Sequence, residues 1–544
     1  MREILANDIY ILDKYEAGGE TPDVASARAV HLAAKSEREA LARAAVDGAF
    51  TRAVHLVARS EREAFACAAV DVALARAVPS FLREEALKNV RRIHTSLPDY
   101  EPTPLYRLDG LSRELGVKAV FVKDESKRFG LNAFKGLGGI YAMTMLIAGQ
   151  LGLDADKVTF DELTHPKYRE RISNMTFATA TDGNHGKGIS WAAGLLGCEA
   201  HIFMPAGSSE RRAQAIRDVN PRANVLITDM NYDDTVRYAV KLSAQNGWHL
   251  VQDTSWENYE EIPTWIVQGY TTMAAEALQQ METGNFETIG LSGGEVGTPA
   301  GEAWEPFYPT HVLLQAGVGA MSGGVAGYLA GKCDSSTHTN SIFIATVEPE
   351  NVACIYESAK AGDGCAHPAP EVAAAHDAPV AVGTTPSAAT TIMAGLNCGE
   401  PCLLTWPVLR DLCNIYIKCP DEVSREGMRY LASAARPSVE QAPAHPSAEQ
   451  AAAHPFAEQA AAHPFIEQAP AHPSIEQAPA HPSIISGESG AVTIGILRMA
   501  AKPGYEKLKE SLRLTPDSVV LCFSTEGDTD PDSYRNIVDW GGSA

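Results

Sequence analysis

The sequence predicts an α/β protein whose parallel sheets are covered by helices, and three observations carry that reading. Compact apolar runs recur at 117–123, 175–179, 200–204, 224–228, 248–251, 312–314, 342–347 and 518–523, most of them followed by helical periodicity. Alternation of this kind implies parallel strands with helices on both faces. Three glycine-rich segments, around 135–139, 183–188 and 317–324, follow apolar runs, and ligands in such folds bind beyond the carboxyl ends of the strands. The length of 544 residues, 45% of them hydrophobic, suffices for two domains around a shared cleft.

From the N-terminus, residues 1–25 form a separate segment whose short apolar patch, Ile4-Leu5-Ala6, lies between Glu3 and Asp8. A basic flank and a long apolar core are both missing, so no secretory signal is expected. No apolar run reaches the ~20 residues needed to span a bilayer, which argues against a membrane partner. Residues 27–50 then recur as 51–74, an offset of 51 − 27 = 24, and Ala75-Arg76-Ala77-Val78 starts a third copy before Pro79. Alanine richness and the capping boxes Ser36-x-x-Glu39 and Ser60-x-x-Glu63 predict helices. So few copies do not make a free-standing solenoid, so 26–78 reads as a helical appendage packed on the main body or a partner subunit. The formal charge, 45 − 68 = −23, with no basic stripe, argues against nucleic acid as a partner.

The run DESKRFGLNAFKGLGG, Asp124 to Gly139, sets Lys135 behind Asn132-Ala133-Phe134 and ahead of a glycine-rich helix start. That is how a protein presents an amine to an aldehyde cofactor. Such a lysine has to shed its proton near neutral pH, and desolvation beside Phe134 and a cationic ring system is expected to lower its pKa. Lysine beside glycines also occurs in ordinary turns. In TFATATDGNHGKGISWAA, Thr176 to Ala193, a strand-like stretch ends in Thr181-Asp182-Gly183-Asn184-His185-Gly186 before a helical pattern. Strand, tight turn and helix N-terminus aim several backbone N–H groups at one point, which suits a carboxylate. In the third segment the run 312–314 opens into Gly317-Val318-Gly319-Ala320-Met321-Ser322-Gly323-Gly324. Glycines there let the chain approach an anion and donate its amides, as a cofactor phosphate needs. Either of these two stretches alone also reads as a plain βα turn.

Together, and in this order, the three segments resemble those of fold-type II pyridoxal-phosphate enzymes, the tryptophan synthase β-like class. The match narrows over DESKRFGLNAFK, ATATDGNHGKG, ITDMNYDDTV, VQDTSWENYEEIPTWIVQGY, LLQAGVGAMSGG, TIMAGLNCGEP, IISGESGA and FSTEGDTD. These look like motifs of the diaminopropionate ammonia-lyase family, run in that family's order from about Pro102 to Trp540, and are interrupted by segments the family does not usually carry. Long motifs kept in order make the resemblance specific.

The resemblance implies a pyridoxal 5′-phosphate enzyme, a homodimer, converting D- and L-2,3-diaminopropionate to pyruvate and two ammonia by α,β-elimination. Two α/β domains would hold the cofactor between them, the larger from 79–143 and 267–544, the smaller from 144–266. On this resemblance Lys135 binds the cofactor and is the base for the L isomer, and Asp182 is the base for the D isomer. Asn184 contacts the cofactor's 3′ oxygen, Gly317, Val318, Gly319, Ala320 and Met321 hold its phosphate, and Ser524 or Thr525 faces the pyridine nitrogen. Thr181, Asp182, Gly183, His185 and Asp253 bind the substrate. A hydroxyl at the pyridine nitrogen cannot keep it protonated as an aspartate would, which weakens the ring as an electron sink and favours elimination over transamination.

Asp182 departs from the serine and threonine dehydratases, which typically carry a small neutral residue there. A carboxylate can serve as a second base and attract an additional ammonium; an Asx-turn before Gly183 is its competing role. For Asp253 the competing role is a helix N-cap. A serine/threonine dehydratase would share the cofactor residues but not need these two acids. A degenerate scaffold whose repeats recruit partners is opposed by the intact lysine and phosphate loop.

A second array of nine-residue units runs from Val439 to Ser483, and its repeated prolines and polar residues predict a surface loop over 438–483. Its histidines could bind metal only at a large ordering cost, so no metal is expected. Segments 282–305 and 359–387, rich in Gly, Ala, Pro and Thr, also read as inserted loops. The ten cysteines form no disulfide-scaffold pattern and read as reduced, buried thiols, pointing to the cytoplasm.

Overall fold

The computed structural model describes residues 1–14, 78–181, 183–289, 305–332, 342–370, 391–434 and 484–539. Both repeat arrays, most of 359–387 and much of 282–305 lie outside them, as does Asp182. The strands are β1 (Arg2–Ala6), β2 (Ile9–Asp13), β3 (Leu105–Leu108), β4 (Ala119–Asp124), β5 (Thr176–Ala180), β6 (Glu199–Met204), β7 (Ala223–Ile227), β8 (His249–Leu250), β9 (Glu287–Ile289), β10 (His311–Gln315), β11 (Phe343–Pro349), β12 (Ile415–Cys419) and β13 (Val519–Ser524). They form two sheets, one ordered β1-β2-β12-β11-β10-β13-β4-β3-β9 and the other β7-β6-β5-β8.

The smaller sheet is parallel throughout. The larger is parallel at its centre, where every residue of β4, β10, β11 and β13 is buried. Burial on both faces is why these runs are continuously apolar instead of alternating. Its flanks depart from the expected parallel pattern. The N-terminal hairpin β1–β2 pairs antiparallel with β12, with Ile11 opposite Ile417, so residues 1–14 extend the large sheet. Strand β3 runs antiparallel to β4, and β9, inside a segment expected to be an inserted loop, pairs with β3.

Helices α1 (Gly136–Leu151), α2 (Asn184–Leu196), α3 (Glu261–Thr283), α4 (Ala320–Gly331) and α5 (Glu488–Ala501) frame the space between the sheets. Glycines bring α1 into backbone contact with two of them. A Cβ on Gly188 would lie 2.9 Å from the Gly136 nitrogen, and one on Gly269 would lie 2.6 Å from the Leu137 carbonyl oxygen. Neither position accepts a side chain without moving α1, and Lys135 is the residue that caps its N-terminus.

A buried ionic cluster anchors the segment leading to that lysine. Arg128, 1% exposed, donates to both oxygens of Glu125 and both of Glu276 at 2.7–2.9 Å. Lys123 adds an ion pair to Glu276 at 2.7 Å and donates to the Thr103 carbonyl and to Gln280. The Arg128 and Lys123 charges outweigh burial and hold Glu276 at about 2. A charge removed from water is tolerated only when its partners are this complete.

Candidate active site

A cleft opens between the two sheets. Lys135, Asn184, Thr181, His185, Asp253, Gly317 to Met321 and Thr525 all line it. Among the described residues, Lys135 is its only lysine. The Lys135 side chain is 18% exposed, and its Nζ lies 5.3 Å from the Phe134 ring centre and 5.7 Å from that of Tyr270. Its ammonium donates to Asp253 Oδ2 at 2.5 Å. Burial works to lower the Lys135 pKa, but the Asp253 carboxylate beside it prevails and holds it above its ordinary value. This corrects the expected lowering: the opposing charge comes from a residue 118 positions away, which the local run does not reveal.

Asp253 is 5% exposed, and although burial would raise its pKa, His185 and Lys135 bring it down to about 2. It caps no helix, since the next one begins at Glu261 behind Glu260. His185 sits with Nε2 2.8 Å from the Val251 carbonyl oxygen and Nδ1 3.7 Å from Asp253 Oδ2. Burial depresses the pKa of His185 more than Asp253 raises it. A neutral ring with its N–H on Val251 is the consistent state.

The Thr181 hydroxyl accepts the backbone N–H groups of Gly183, at 2.9 Å, and Gly186, at 3.0 Å, and so closes the turn into α2. Gly183 does not line the cleft, because its amide is used within the turn. A Cβ on Gly186 would lie 2.3 Å from Thr181 Cγ2, which fixes glycine there. The placement of Asp182, expected to act from this loop, lies outside the described residues.

At the end of β13 the two hydroxyls separate. Ser524 donates to Ser486 Oγ at 2.8 Å and is turned away, while Thr525 lines the cleft, as the alternation of successive side chains requires. Thr525 Oγ1 accepts the Gln315 amide at 2.9 Å, which leaves its own proton free to point into the cleft. Gln315, Tyr232, Cys398, Ser489 and Glu526 also line the cleft and were not singled out by sequence. Each nevertheless sits inside a quoted motif, Tyr232 in ITDMNYDDTV, Gln315 in LLQAGVGAMSGG, Cys398 in TIMAGLNCGEP, Ser489 in IISGESGA and Glu526 in FSTEGDTD.

The residues present fit pyridoxal phosphate. Gly319 has φ +90° and is the N-cap of α4. A Cβ on Gly317 would lie 3.1 Å from Leu396 Cα, so the turn 317–319 is a bare backbone cradle ending at helix amides without intrahelical partners. The amine, the anion cradle and a hydroxyl donor therefore border a single cavity.

Comparison with known proteins agrees with this donor set. The model of the pyridoxal-phosphate dependent enzyme family matches residues 97–454. The diaminopropionate ammonia-lyase of Escherichia coli K12 is 42% identical over 465 residues, covering 85% of this chain and 93% of that protein. This chain belongs to the diaminopropionate ammonia-lyase family. The Salmonella typhimurium member is 38% identical over 464 residues, covering 85% of this chain and 94% of its own. The E. coli member's crystal structure with an aminoacrylate–PLP azomethine reaction intermediate superposes with a TM-score of 0.63 at 39% identity, covering 86% of this chain and 94% of that one. Family membership fixes the larger architecture as the fold-type II α/β fold with helices covering both sheets.

Proposed function

We propose that this chain is a pyridoxal-phosphate-dependent diaminopropionate ammonia-lyase, converting D- and L-2,3-diaminopropionate to pyruvate and two ammonia. The observation that carries it is the Asp253 carboxylate held against Lys135 inside the cleft, 5% exposed. Diaminopropionate brings a second ammonium that serine and threonine lack, and a buried anion beside the reacting lysine is what would receive it.

Pyridoxal phosphate, when bound, supplies an electron sink for the charge that develops at the substrate's Cα. Lys135 would hold it covalently, the turn from Gly317 to Met321 its phosphate, Asn184 its 3′ oxygen and Thr525 its pyridine nitrogen. Lys135, in its neutral form, accepts the Cα proton of the L isomer and Asp182, as a carboxylate, that of the D isomer. Asp253 holds the Lys135 proton in the arrangement observed, and the same carboxylate suits the substrate's second ammonium. His185, fixed on Val251 through Nε2, packs behind Asp253 without a hydrogen bond to it. Thr181 and Gly183 shape the turn that leads into Asn184.

On the same reading the smaller domain is built by about 144–266, the enzyme is a homodimer and it works in the cytoplasm. The free cysteines among the described residues support a reducing compartment. No helix among the described residues is long and apolar enough to cross a membrane. The test is steady-state pyruvate formation from diaminopropionate and from serine by the same preparation. A preference for diaminopropionate is expected, and a preference for serine would return the chain to the dehydratases.

A further inference from the structure

Glu526 is a carboxylate in the cleft to which the reading above gives no task. It follows Thr525, is 5% exposed, and divides its oxygens between two helix starts. Oε1 accepts the Ser489 backbone N–H of α5 at 2.9 Å, and Oε2 accepts the side-chain amide nitrogen of Asn184, first residue of α2. The backbone of Glu526 has little freedom to withdraw. Its carbonyl accepts the Gly487 N–H at 3.0 Å, it bridges Ala133 across an antiparallel pair, and a Cβ on Gly490 would lie 2.9 Å from its oxygen.

A side-chain amide has a donor end and an acceptor end of nearly the same shape, whereas an ionised carboxylate only accepts. Glu526 therefore decides which end of Asn184 faces it. The amide nitrogen carries two N–H groups, so when one is taken by Glu526 the other remains for the cleft. Asn184 and Glu526 are also 342 positions apart, one at the start of α2 beside the small sheet and the other just past the end of β13 in the large sheet. Their bond ties the two walls of the cleft together.

We propose that Glu526 is a positioning residue that orients the Asn184 amide so that its second N–H is presented to the 3′ oxygen of the cofactor, and that the same bond latches the two walls. The inference rests on the assignment of Asn184 to that oxygen. In Glu526→Gln the acceptor-only group becomes one that also donates, and the Asn184 amide becomes free to turn over.

The experiment is a double-mutant cycle read by the dissociation constant for pyridoxal phosphate, the absorption band of the bound cofactor and the melting temperature of the cofactor-free protein. Asn184→Ala is expected to weaken cofactor binding about tenfold, the size of one hydrogen bond to a charged group. Glu526→Gln should weaken it comparably and shift the band the same way. The double variant should be no weaker than the worse single, because the two groups act as one unit. Losses that multiply toward ~100-fold in the double variant, or a Glu526→Gln protein with the parent's affinity and band, would overturn the role given to Glu526. An Asn184→Ala protein with unchanged affinity and band would instead overturn the assignment of Asn184 beneath it.

A reciprocal swap separates latch from orientation. Asn184→Asp alone sets two carboxylates against each other and should lower the cofactor-free melting temperature. Combined with Glu526→Gln it restores one donor and one acceptor, so the melting temperature should recover while cofactor affinity stays low, because no N–H is left for the 3′ oxygen. Recovery of both would contradict the orientation, and recovery of neither would contradict the latch.

Discussion

Two buried ionic groups lie within a dozen residues of each other, and they serve opposite ends. Around Arg128 every charge is answered: both oxygens of Glu125 and of Glu276 are taken, Lys123 completes the set, and the Arg128 and Lys123 side chains have no solvent exposure. Around Lys135 the ammonium meets Asp253, and beyond that it faces two aromatic rings and an open cleft. Titration alone does not tell them apart, since Glu276 and Asp253 are both held down to about 2 by neighbouring cations. Completeness does. A saturated cluster can only hold the chain in place, whereas a pair with one side open can change partners, as chemistry at an active site requires.

The comparison breaks most visibly at its two cations. Lys135→Ala should lower turnover by roughly 10³-fold or more while the protein keeps its fold, because the cleft loses its amine and little packing. Arg128→Met should do the reverse. Glu125 is left buried without a cation and Glu276 keeps only Lys123, so stability falls by about 3–5 kcal/mol, and the surviving folded fraction stays active. Thermal melting and turnover per folded molecule, measured on both variants, separate the two roles. An Arg128→Met protein that melts normally but is inactive would erase the distinction.

Two acids refine it. Asp182→Asn should lower turnover of D-diaminopropionate ~100-fold or more, because an amide cannot accept the Cα proton, with a smaller loss on the L isomer. Equal losses on the two isomers would make Asp182 a substrate-binding group and not the choice of face. Asp253→Asn should raise KM for diaminopropionate more than for serine. It should also flatten the acid limb of the cofactor-free protein's stability. A carboxylate lowered to about 2 contributes stability that is present above its unfolded value near ~3.9 and is lost as pH falls toward 2. Melting curves between those pH values should therefore diverge by at most about 2–3 kcal/mol. Parallel curves would show that the pair adds nothing to the fold.

What was legible in the sequence was local. A lysine ahead of glycines, a glycine turn at a strand end and a Thr-Asp-Gly-Asn-His loop state their chemistry within a few residues, and Lys135, Asn184 and Gly317 to Met321 do border one cleft. What was not legible depended on distance or phase. The raised pKa of Lys135 needs Asp253 brought from far along the chain, and Glu526, Ser489 and Tyr232 reach the cleft from segments hundreds of residues from Lys135 or on the other sheet's side. The choice of Thr525 over Ser524 turns on the pleat at the strand's last residue, which an apolar run does not reveal. The N-terminal hairpin escaped because its apolar patch is short and its partner, β12, lies some four hundred positions away. The smallest expected effect belongs to the periphery. Removing 438–483 and bridging with a short Gly-Ser linker should leave specific activity within about a few-fold, because loop length carries little entropic cost. A large loss in a soluble, cofactor-loaded deletion would tie the array to the site or the dimer.

Elimination of ammonia from a diamino acid by the acid-paired lysine cleft leaves a stoichiometric signature. It is tested most directly by measuring pyruvate and ammonia together from purified, cofactor-loaded protein given each enantiomer of 2,3-diaminopropionate, with serine in parallel. Two ammonia per pyruvate are expected from both enantiomers, at rates well above that on serine. Serine turned over faster than either enantiomer would contradict it.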